Sequence, residues 1–378
     1  MLFKHNHPLS RKTKNWLIIS VLLLLGILSV KYINNMDEKI KWYSAWDAPK
    51  YYPVELLNGA FILKGEGEIS LLSCWTGGQR WGGSSHEYGG KIYPLPEGLY
   101  VYWYSFTEDK FYEGAFKLPR DRMRALFSEG FNQFRAKSHT TYNTLTVGLA
   151  PGGIVAVWLK GHGQEVEIGY FKAKETKRLS WELFFHDSFH YKNFRDSAWT
   201  VYRQDMLKSL DAHENMERHG IPFGLWDRYR VRFNIRPVMI YEDTNCITDE
   251  IYMEFFNGET EALSLERLEE NPFEKRARIK YIEVYWSFGQ TIREGIFELD
   301  EEEIFEAYEK IYEGNPDCPV ELQICLDRDN HYFYLFLVRT EQGKFKRVQL
   351  QHAKINWYPE DEANRYQFEV FEKNNSRK

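Results

Sequence analysis

The 378-residue chain is long enough for two or three domains, and its aromatic content of 17% favours a β-rich fold over disorder. Its net charge is −6, but the first 34 residues hold five basic residues and no acid. Subtracting these five charges leaves −11 on the rest, which therefore offers no basic stripe for phosphates, and nucleic-acid binding is disfavoured. The five are Lys4, Arg11, Lys12, Lys14 and Lys31.

An uncharged apolar run, Trp16–Val30, lies near the N-terminus between Lys14 and Lys31. Fifteen helical residues span about 22 Å, short of a hydrocarbon core of about 30 Å, but flanking lysines extend such a span by snorkelling. We predict a basic cytoplasmic tail over residues 1–14, a transmembrane signal anchor over 15–33 and a tether over 34–42.

The basic cluster before the apolar run places the N-terminus in the cytoplasm and the body in the periplasm, at the inner membrane. The alternative is a cleaved signal peptide, which would make the protein secreted. A signal anchor is favoured because no pair of small residues follows the run, where Lys31–Asn35 stands instead. A buried core helix is disfavoured because nothing upstream would cover it.

The first half reads as hairpins and one helix. Leu99–Phe106 and Phe111–Leu118 form a hairpin, and an apolar stripe at helical spacing follows Pro119. Pro53–Leu63 reads as two strands joined by a turn at Asn58–Gly59, because Asn-Gly is a strong hairpin signal. Leu145–Leu159 reads as another hairpin. These elements predict a first α+β domain over residues 43–190.

A glycine-rich stretch, Gly77–Gly90, interrupts this pattern and is too long for a simple connector. Its glycines lack the spacing of a phosphate-binding loop. We predict either a flexible insertion, which we favour, or an interaction loop. The candidate interaction residues are Arg80, Trp81, His86 and Tyr88.

Charged residues and helix formers dominate the middle of the chain and predict a helical connector over residues 191–225. His186 and His190 have the i, i+4 spacing of zinc ligands, but no third ligand or base accompanies them. We predict no catalytic, cofactor-binding or metal-binding residues and no cofactor. The four cysteines, which form no CxxC pair, are interpreted as buried free thiols, or as disulfide partners if the body is periplasmic. They are Cys74, Cys246, Cys318 and Cys325.

The second half repeats the first. Val101–Trp103 recurs as Val284–Trp286, and Glu113 before a glycine recurs as Glu294, at offsets of 183 and 181. A second domain is predicted over 226–371, with a polar tail over 372–378. The predicted fold is therefore α+β and β-rich. It has two similar tandem domains of antiparallel hairpins, each with one packed helix, after the transmembrane helix.

Four pieces of the sequence carry a family resemblance: Ala48–Val54, Leu95–Tyr104, Leu145–Leu159 and Trp226–Asn234. Together they resemble the bacterial DUF2931 family of exported proteins of unknown function. The resemblance implies an exported, membrane-tethered protein, although many members are lipoproteins and this chain has no lipid-acceptor cysteine after its apolar run. It supplies no catalytic residues. Proximity of some members to type VI secretion toxin genes would imply an immunity protein.

Three functions follow as hypotheses. The first is a membrane-anchored periplasmic module that binds a protein partner, such as a secreted toxin, without catalysis. The second is a cell-envelope hydrolase that uses acidic residues such as Glu165, Glu167 or Asp187, which would have to be paired across a substrate. The third is a structural envelope component. The inner membrane is the expected partner of the N-terminal helix.

Overall fold

The structure is a computed structural model that describes residues 39–177, 196–359 and 370–371, except for positions 66, 77, 79, 137, 290, 330, 331 and 342. Strands make up 53% and helices 18% of it, which confirms the predicted β-rich α+β class. The segment predicted to cross the membrane lies outside the described residues. Among those described, no helix is long and apolar enough to span a bilayer.

The first half contains thirteen strands and one helix in the described residues. They are β1 (Lys39–Asp47), β2 (Val54–Leu63), β3 (Gly67–Ser70), β4 (Trp75–Thr76), β5 (Tyr88–Pro94), β6 (Pro96–Ser105), β7 (Lys110–Lys117), α1 (Arg120–Glu129), β8 (Phe131–Asn132), β9 (His139–Thr140), β10 (Thr144–Ala150), β11 (Ile154–Gly161), β12 (Gln164–Lys172) and β13 (Lys174–Thr176).

Three helices connect the halves, and the second half adds eleven strands and two helices, again among the described residues. The connecting helices are α2 (Asp196–Ser209), α3 (Ala212–His219) and α4 (Leu225–Tyr229). The second half comprises β14 (Phe233–Tyr241), β15 (Cys246–Phe255), β16 (Thr260–Ser264), α5 (Leu265–Glu270), β17 (Glu274–Arg276), β18 (Ile279–Phe288), β19 (Thr291–Glu298), α6 (Glu301–Tyr312), β20 (Val320–Leu326), β21 (Phe333–Glu341), β22 (Lys344–Leu350), β23 (Lys354–Pro359) and β24 (Val370–Phe371).

These strands form three sheets and a short ribbon, β8-β9. The long sheet has the order β24-β23-β19-β18-β15-β16-β12-β11-β10-β1-β5. The first-half sheet has the order β13-β7-β6-β2-β3, with β4 beside β2, and the second-half sheet has the order β17-β14-β20-β21-β22. Neighbouring strands run antiparallel except β1 with β10 and β14 with β20, which are parallel.

The strand orders of the two halves correspond one for one. The series β13-β7-β6-β2-β3 matches β23-β19-β18-β15-β16, and β12-β11-β10-β1-β5 matches β22-β21-β20-β14-β17. The correspondence includes β-bulges, because β2 is irregular at Leu56/Asn58 and Ile62/Leu63, and β15 at Thr248/Glu250 and Glu254/Phe255. The predicted domain limits stay predictions.

The halves share one continuous sheet. Within the long sheet, β12 of the first half pairs with β16 of the second, and the register pair is Glu165 opposite Thr260. The apolar cluster of the second half also extends across this junction, since it includes Trp81, Ala156 and Trp158 of the first half. The connector is therefore not the only link between the halves.

The turn predicted at Asn58–Gly59 is wrong. β2 runs through both residues as one strand of ten residues and pairs with β6 along its length. The bulge beside Asn58 takes up the irregularity that the sequence pattern indicated. A Cβ at Gly59 would lie 3.0 Å from Cδ1 of Leu71, so the glycine serves close packing rather than a turn.

The long helix of each half buries an apolar stripe, and the stripe of α1 is the one predicted after Pro119. Met123 and Phe127 of α1 are buried, as are Ile304, Tyr308 and Ile311 of α6. The N-terminus of α6 is capped, because the Asp300 carboxylate accepts a hydrogen bond from the backbone N–H of Glu303 at 2.9 Å. The Glu303 carboxylate instead accepts from the backbone N–H groups of Gln351 and His352, at 2.6 and 2.9 Å.

The connector helices pack on an aromatic cluster at the β6–β7 turn. Trp199 of α2 contacts Tyr104, with ring centroids 4.9 Å apart, and Arg203 donates to the backbone carbonyl of Phe106 at 2.6 Å. The hydroxyl of Tyr202 donates to Glu55 of β2 at 3.3 Å. The connector thus covers Glu55 and removes much of its hydration.

We expect Glu55→Gln to remove a pH-dependent loss of stability. Burial raises the pKa of Glu55 from 4.5 to about 7, although the Tyr202 hydrogen bond lowers it in part. Because the folded pKa lies above the unfolded value, the stability from protonated Glu55 is complete below about pH 4.5 and is lost as pH rises through about 7. Thermal denaturation should show the variant more stable than the wild type at about pH 8 but not at about pH 4. A constant difference in melting temperature between Glu55→Gln and the wild type from about pH 4 to about pH 8 would contradict this prediction.

Candidate binding site between the two halves

The glycine-rich loop lies packed across the outer face of β1, β10 and β11. Its Trp81 is 8% exposed and fits between Trp158 of β11 and Trp226 of α4, with centroid distances of 5.0 and 6.2 Å. Trp158 also donates through its indole N–H to the backbone carbonyl of Asn257 at 3.2 Å. Trp81 is therefore an apolar wedge where the first half, the connector and the second half meet.

The glycines of this region permit close approach of chain segments. Gly82 has a φ of +81°, and a Cβ there would lie 2.7 Å from the carbonyl oxygen of Gly258. A Cβ on Gly148 would lie 2.6 Å from Trp158 and 2.8 Å from Trp81. The contact at Gly82 therefore requires a glycine in the loop, whereas the sequence pattern alone led us to read the loop glycines as flexibility.

Two buried charged residues hold the loop on the sheet. Asp47 of β1, 2% exposed, accepts hydrogen bonds from the Ser85 and Thr76 hydroxyls, and burial raises its pKa. Lys160 of β11 donates to the carbonyl oxygen of Gly82 at 2.8 Å and forms an ion pair with Glu165 at 3.0 Å. The loop is thus fastened by contacts far apart in sequence.

Arg80 joins the two halves directly. Its guanidinium lies 3.3 Å from Glu165 of β12 and 2.6 Å from Glu254 of β15. Burial lowers the pKa of Arg80, but the two carboxylates outweigh it and hold the guanidinium charged. Burial raises the pKa of Glu165 in spite of its two cationic partners, Lys160 and Arg80. Arg80, Glu165 and Glu254 therefore hold the two halves together at the junction.

Further ion pairs continue along the β12–β16 junction. Glu167 pairs with Arg230 at 2.8 Å, and Glu259 pairs with Arg232 at 2.7 Å. The Glu259 carboxylate also accepts from the backbone N–H of Glu167 at 3.0 Å, which links the halves again. Burial raises the pKa of Glu167. Each of these carboxylates already has a structural partner.

A deeper pair lies beside this junction. Glu261 of β16 and Arg276 of β17 are 8% and 3% exposed in their side chains, and Oε2 of Glu261 lies 2.7 Å from Nε of Arg276. Burial would raise the pKa of Glu261, but hydrogen bonds and charge from Arg276 and Arg267 outweigh it, so the pKa is lowered. Arg276 also donates to the carbonyl oxygen of Ile235 at 2.6 Å.

A cavity of about 470 Å³ opens beside Trp81. The first half, the connector and the second half all contribute to its wall, which is rich in aromatic residues. The aromatic residues are Tyr51, Tyr52, Trp81, Trp226, Tyr229, Phe255 and Phe256. Tyr52 packs edge to face on Trp226 at 5.5 Å, and Tyr229 stacks on Phe256 at 5.4 Å. The rings therefore support one another as a preformed surface.

Polar groups lie around this aromatic wall. Tyr229 donates to Glu301 at 2.7 Å, and Asn215 donates to the Tyr52 hydroxyl at 3.3 Å. Burial, with the nearby Glu301 charge, raises the pKa of Tyr52. Lys280 also lines the cavity, and its side chain makes no hydrogen bond or ion pair within the part of the chain that the structure describes. Its ammonium group is available to a ligand.

The structure separates the four predicted interaction residues. Arg80 and Trp81 belong to the junction and line the cavity. His86 lies half-buried against Trp46, with centroids 5.1 Å apart, while Tyr88 is 55% exposed on the edge strand β5. Of the predicted carboxylates, Glu165 and Glu167 are in ion pairs, whereas Asp187, like His186 and His190, lies outside the described residues.

The described residues lack the arrangements that metal binding and disulfide formation require. Among them, no group of three or more His, Cys, Asp or Glu side chains is placed to hold a metal ion. The four cysteines are free thiols, with Cys246 and Cys318 buried. Sequence reasoning missed the cavity residues of the connector and the second half. Its only signal was the Trp226–Asn234 piece, which was noted as a family resemblance.

More than half of the chain matches one protein family. The model of the family "Protein of unknown function (DUF2931)" matches residues 29–224, just over half of the chain. The chain belongs to the DUF2931 family. The match covers the first half and the connecting helices α2 and α3, so this DUF2931 protein carries the same strand order again beyond the matched range. No curated protein and no solved structure matches the chain.

Proposed function

We propose that this DUF2931 protein is a membrane-anchored periplasmic module that binds a protein partner without catalysis, through the cavity between its halves. The observation that carries the proposal is the aromatic cavity of about 470 Å³. Ligand sites commonly measure about 300–1,000 Å³ and combine apolar walls with a few polar groups. The cavity would accept one or two large side chains of a partner.

The chemistry of the rim supports a protein partner. Lys50 and His219 are exposed at the cavity, and Tyr51 beside them is half-buried. Tyrosine, tryptophan and arginine are the residue types that contribute most binding energy at protein interfaces, and rings held in place lose little entropy on binding. Lys280 and Glu301 would supply charged contacts of either sign to the partner.

The state of the carboxylates favours binding over hydrolysis. Glu165, Glu167 and Glu259, which lie at the junction, each form an ion pair with at least one arginine or lysine. A glycosidase-type mechanism needs two carboxyl groups that face a substrate with different protonation states. Use of these residues in catalysis would first require the junction to open, so the hydrolase remains the second candidate.

Anchoring in the inner membrane is supported by the sequence. The apolar run Trp16–Val30 follows a basic tail, and β1 starts at Lys39, so the body would begin a few residues beyond the bilayer. Cleavage of this segment would give a secreted protein instead. N-terminal sequencing of the mature protein distinguishes these two forms.

Site-specific cross-linking in native membranes tests partner binding. A photoreactive residue at position 50, on the cavity rim, should capture a protein, whereas one at Ile92, 65% exposed on β5, should not. His219→Trp places an indole at the cavity mouth and should lower the cross-linking yield about tenfold. An unchanged melting temperature would show that His219→Trp leaves the fold intact. Equal capture from positions 50 and 92 would reject the cavity as the binding site.

The toxin-immunity version has its own test. Cells that lack the gene should lose survival when challenged with neighbours that deliver type VI secretion toxins, and His219→Trp should fail to restore it. Unchanged survival of the deletion strain would remove the immunity version and leave the binding proposal to the cross-linking result.

A further inference from the structure

The second half carries a counterpart of the face through which the halves join, and this counterpart is partly exposed within the described residues. On the first half, Gly148 of β10 lies opposite Ala156 of β11. On the second half, Cys325 of β20 lies opposite Tyr334 of β21 at the corresponding register. Two residues further from each hairpin turn, on the same face, the pair Thr146 with Trp158 corresponds to the pair Gln323 with Phe336.

The two faces differ in exposure. Asp47 and Ala156 of the first half are 2% and 0% exposed beneath the loop and the second half. At the corresponding positions Ile240 and Tyr334 are 41% and 40% exposed. This sheet face is therefore covered in the first half, whereas in the second half both side chains stay partly exposed within the described residues, so the protein already contains one example of what covers such a face.

The strands at the sheet edges differ in the same way: an edge that is paired at the junction has a counterpart that is a terminal strand elsewhere. In the first half, β12 pairs with β16 of the second half. The strand that corresponds to β12 is β22, and the strand that corresponds to β16 is β3. Both β22 and β3 are terminal strands of sheets in the described part of the chain. Each presents unpaired backbone groups of the kind that recruit another strand.

The register identifies the residues that would face each other. Lys160 lies opposite Glu165 on the first half, and Val338 lies opposite Arg347 on the second, so Arg347 corresponds to Glu165.

The residue of β3 that corresponds to Thr260 of β16 follows from the strands that they pair with, β2 and β15. Glu254 lies opposite Thr260, and Ile62 lies opposite Glu68, so Glu68 corresponds to Thr260. The bulges that follow Glu254 and Ile62 coincide and fix this alignment.

The counterpart of the pair Glu165–Thr260 is therefore Arg347–Glu68, two opposite charges. Both side chains are exposed. Neither forms an ion pair with any residue that the structure describes, and the Arg347 guanidinium lies over the Phe336 ring at 4.2 Å. Opposite charges that face each other across two strands favour their pairing. Phe345, 63% exposed on β22, adds apolar surface beside this edge.

We propose that copies of this chain associate head to tail, with β22 of one copy paired with β3 of the next and Arg347 opposite Glu68. The contact reuses the geometry that joins the halves within one chain. It joins two different surfaces, so each copy keeps a free β3 or β22 edge and copies add in a row or a ring. It does not depend on the cavity or on its ligand.

A charge exchange tests this contact in the full-length protein purified in detergent. Sedimentation velocity over a range of protein concentrations should show reversible self-association of the wild type. Arg347→Glu and Glu68→Arg should each weaken it roughly tenfold, because an attractive cross-strand pair becomes repulsive. The double variant should restore association, since the charges are again opposite.

Lys174→Glu is the matched control, because Lys174 is exposed on β13, the edge strand at the other end of the first-half sheet. It should leave association unchanged. A protein that is monomeric at every concentration overturns the proposal. Self-association that neither single substitution weakens also overturns the proposal, and so does self-association that the double variant fails to restore. In both cases the copies would associate through another surface.

Discussion

Replacing Trp81 with alanine is expected to destabilise the protein by about 3–5 kcal/mol, the usual cost of removing a buried tryptophan. The side chain is 8% exposed and contacts Trp158 and Trp226, which come from the first half and the connector. Its removal would enlarge the neighbouring cavity and take the wedge out of the junction. Urea denaturation of the full-length protein in detergent, followed by tryptophan fluorescence, measures the change.

Tyr88→Ala provides the control for this loss. Tyr88 belongs to the same glycine-rich stretch but is 55% exposed on β5, so its removal should change the free energy of unfolding by no more than about 0.5 kcal/mol. If both substitutions cost the same, the loop would not hold the halves together. A loss of partner cross-linking by Trp81→Ala under conditions where it stays folded would further support the cavity as the site.

Arg276→Met is expected to cost about 3–5 kcal/mol, because it leaves the Glu261 carboxylate buried with one cationic partner removed. The arginine side chain is 3% exposed and holds both Glu261 and the carbonyl oxygen of Ile235. Without it, the pKa of Glu261 should rise from its lowered value, and the loss should be smaller at acidic pH, where the carboxyl group is neutral. Urea denaturation at about pH 4 and pH 8 measures both effects.

Lys275→Met tests whether the loss comes from burial of the charge. Lys275 is the preceding residue, and its ion pair with Asp317 is about half exposed, with side-chain exposures of 46% and 78%. Exposed pairs contribute about 0–1 kcal/mol, so this variant should remain close to the wild type. Similar losses for both variants would mean that the backbone of β17, rather than the buried pair, is sensitive to substitution.

Local patterns in the sequence predicted most of the individual elements. The hairpin Leu99–Phe106 and Phe111–Leu118 corresponds to β6 and β7, and the turn after Leu149 joins β10 to β11. The helical stripe of α1 faces the core as expected. These signals are readable because side-chain periodicity and turn residues act over a few neighbouring positions.

The predictions that failed concerned residues whose partners are far away in sequence. Asn58–Gly59 carries a strong local turn signal, but pairing with β6 along ten residues outweighs it. The glycines beside Trp81 suggested flexibility, yet Gly82 meets Gly258, 176 positions later. The contact partner of a glycine does not show in its own neighbourhood.

The sequence by itself determined the β-rich class, the repeated motifs and the family resemblance, because each is carried by composition or by short patterns. Only the tertiary structure decided that Trp81 lies inside the junction and that Glu165 and Glu167 hold arginine and lysine. It also decided that three chain segments enclose a cavity. These outcomes depend on the register of β12 against β16 and on the packing of the connector. Contacts between residues tens to hundreds of positions apart set both.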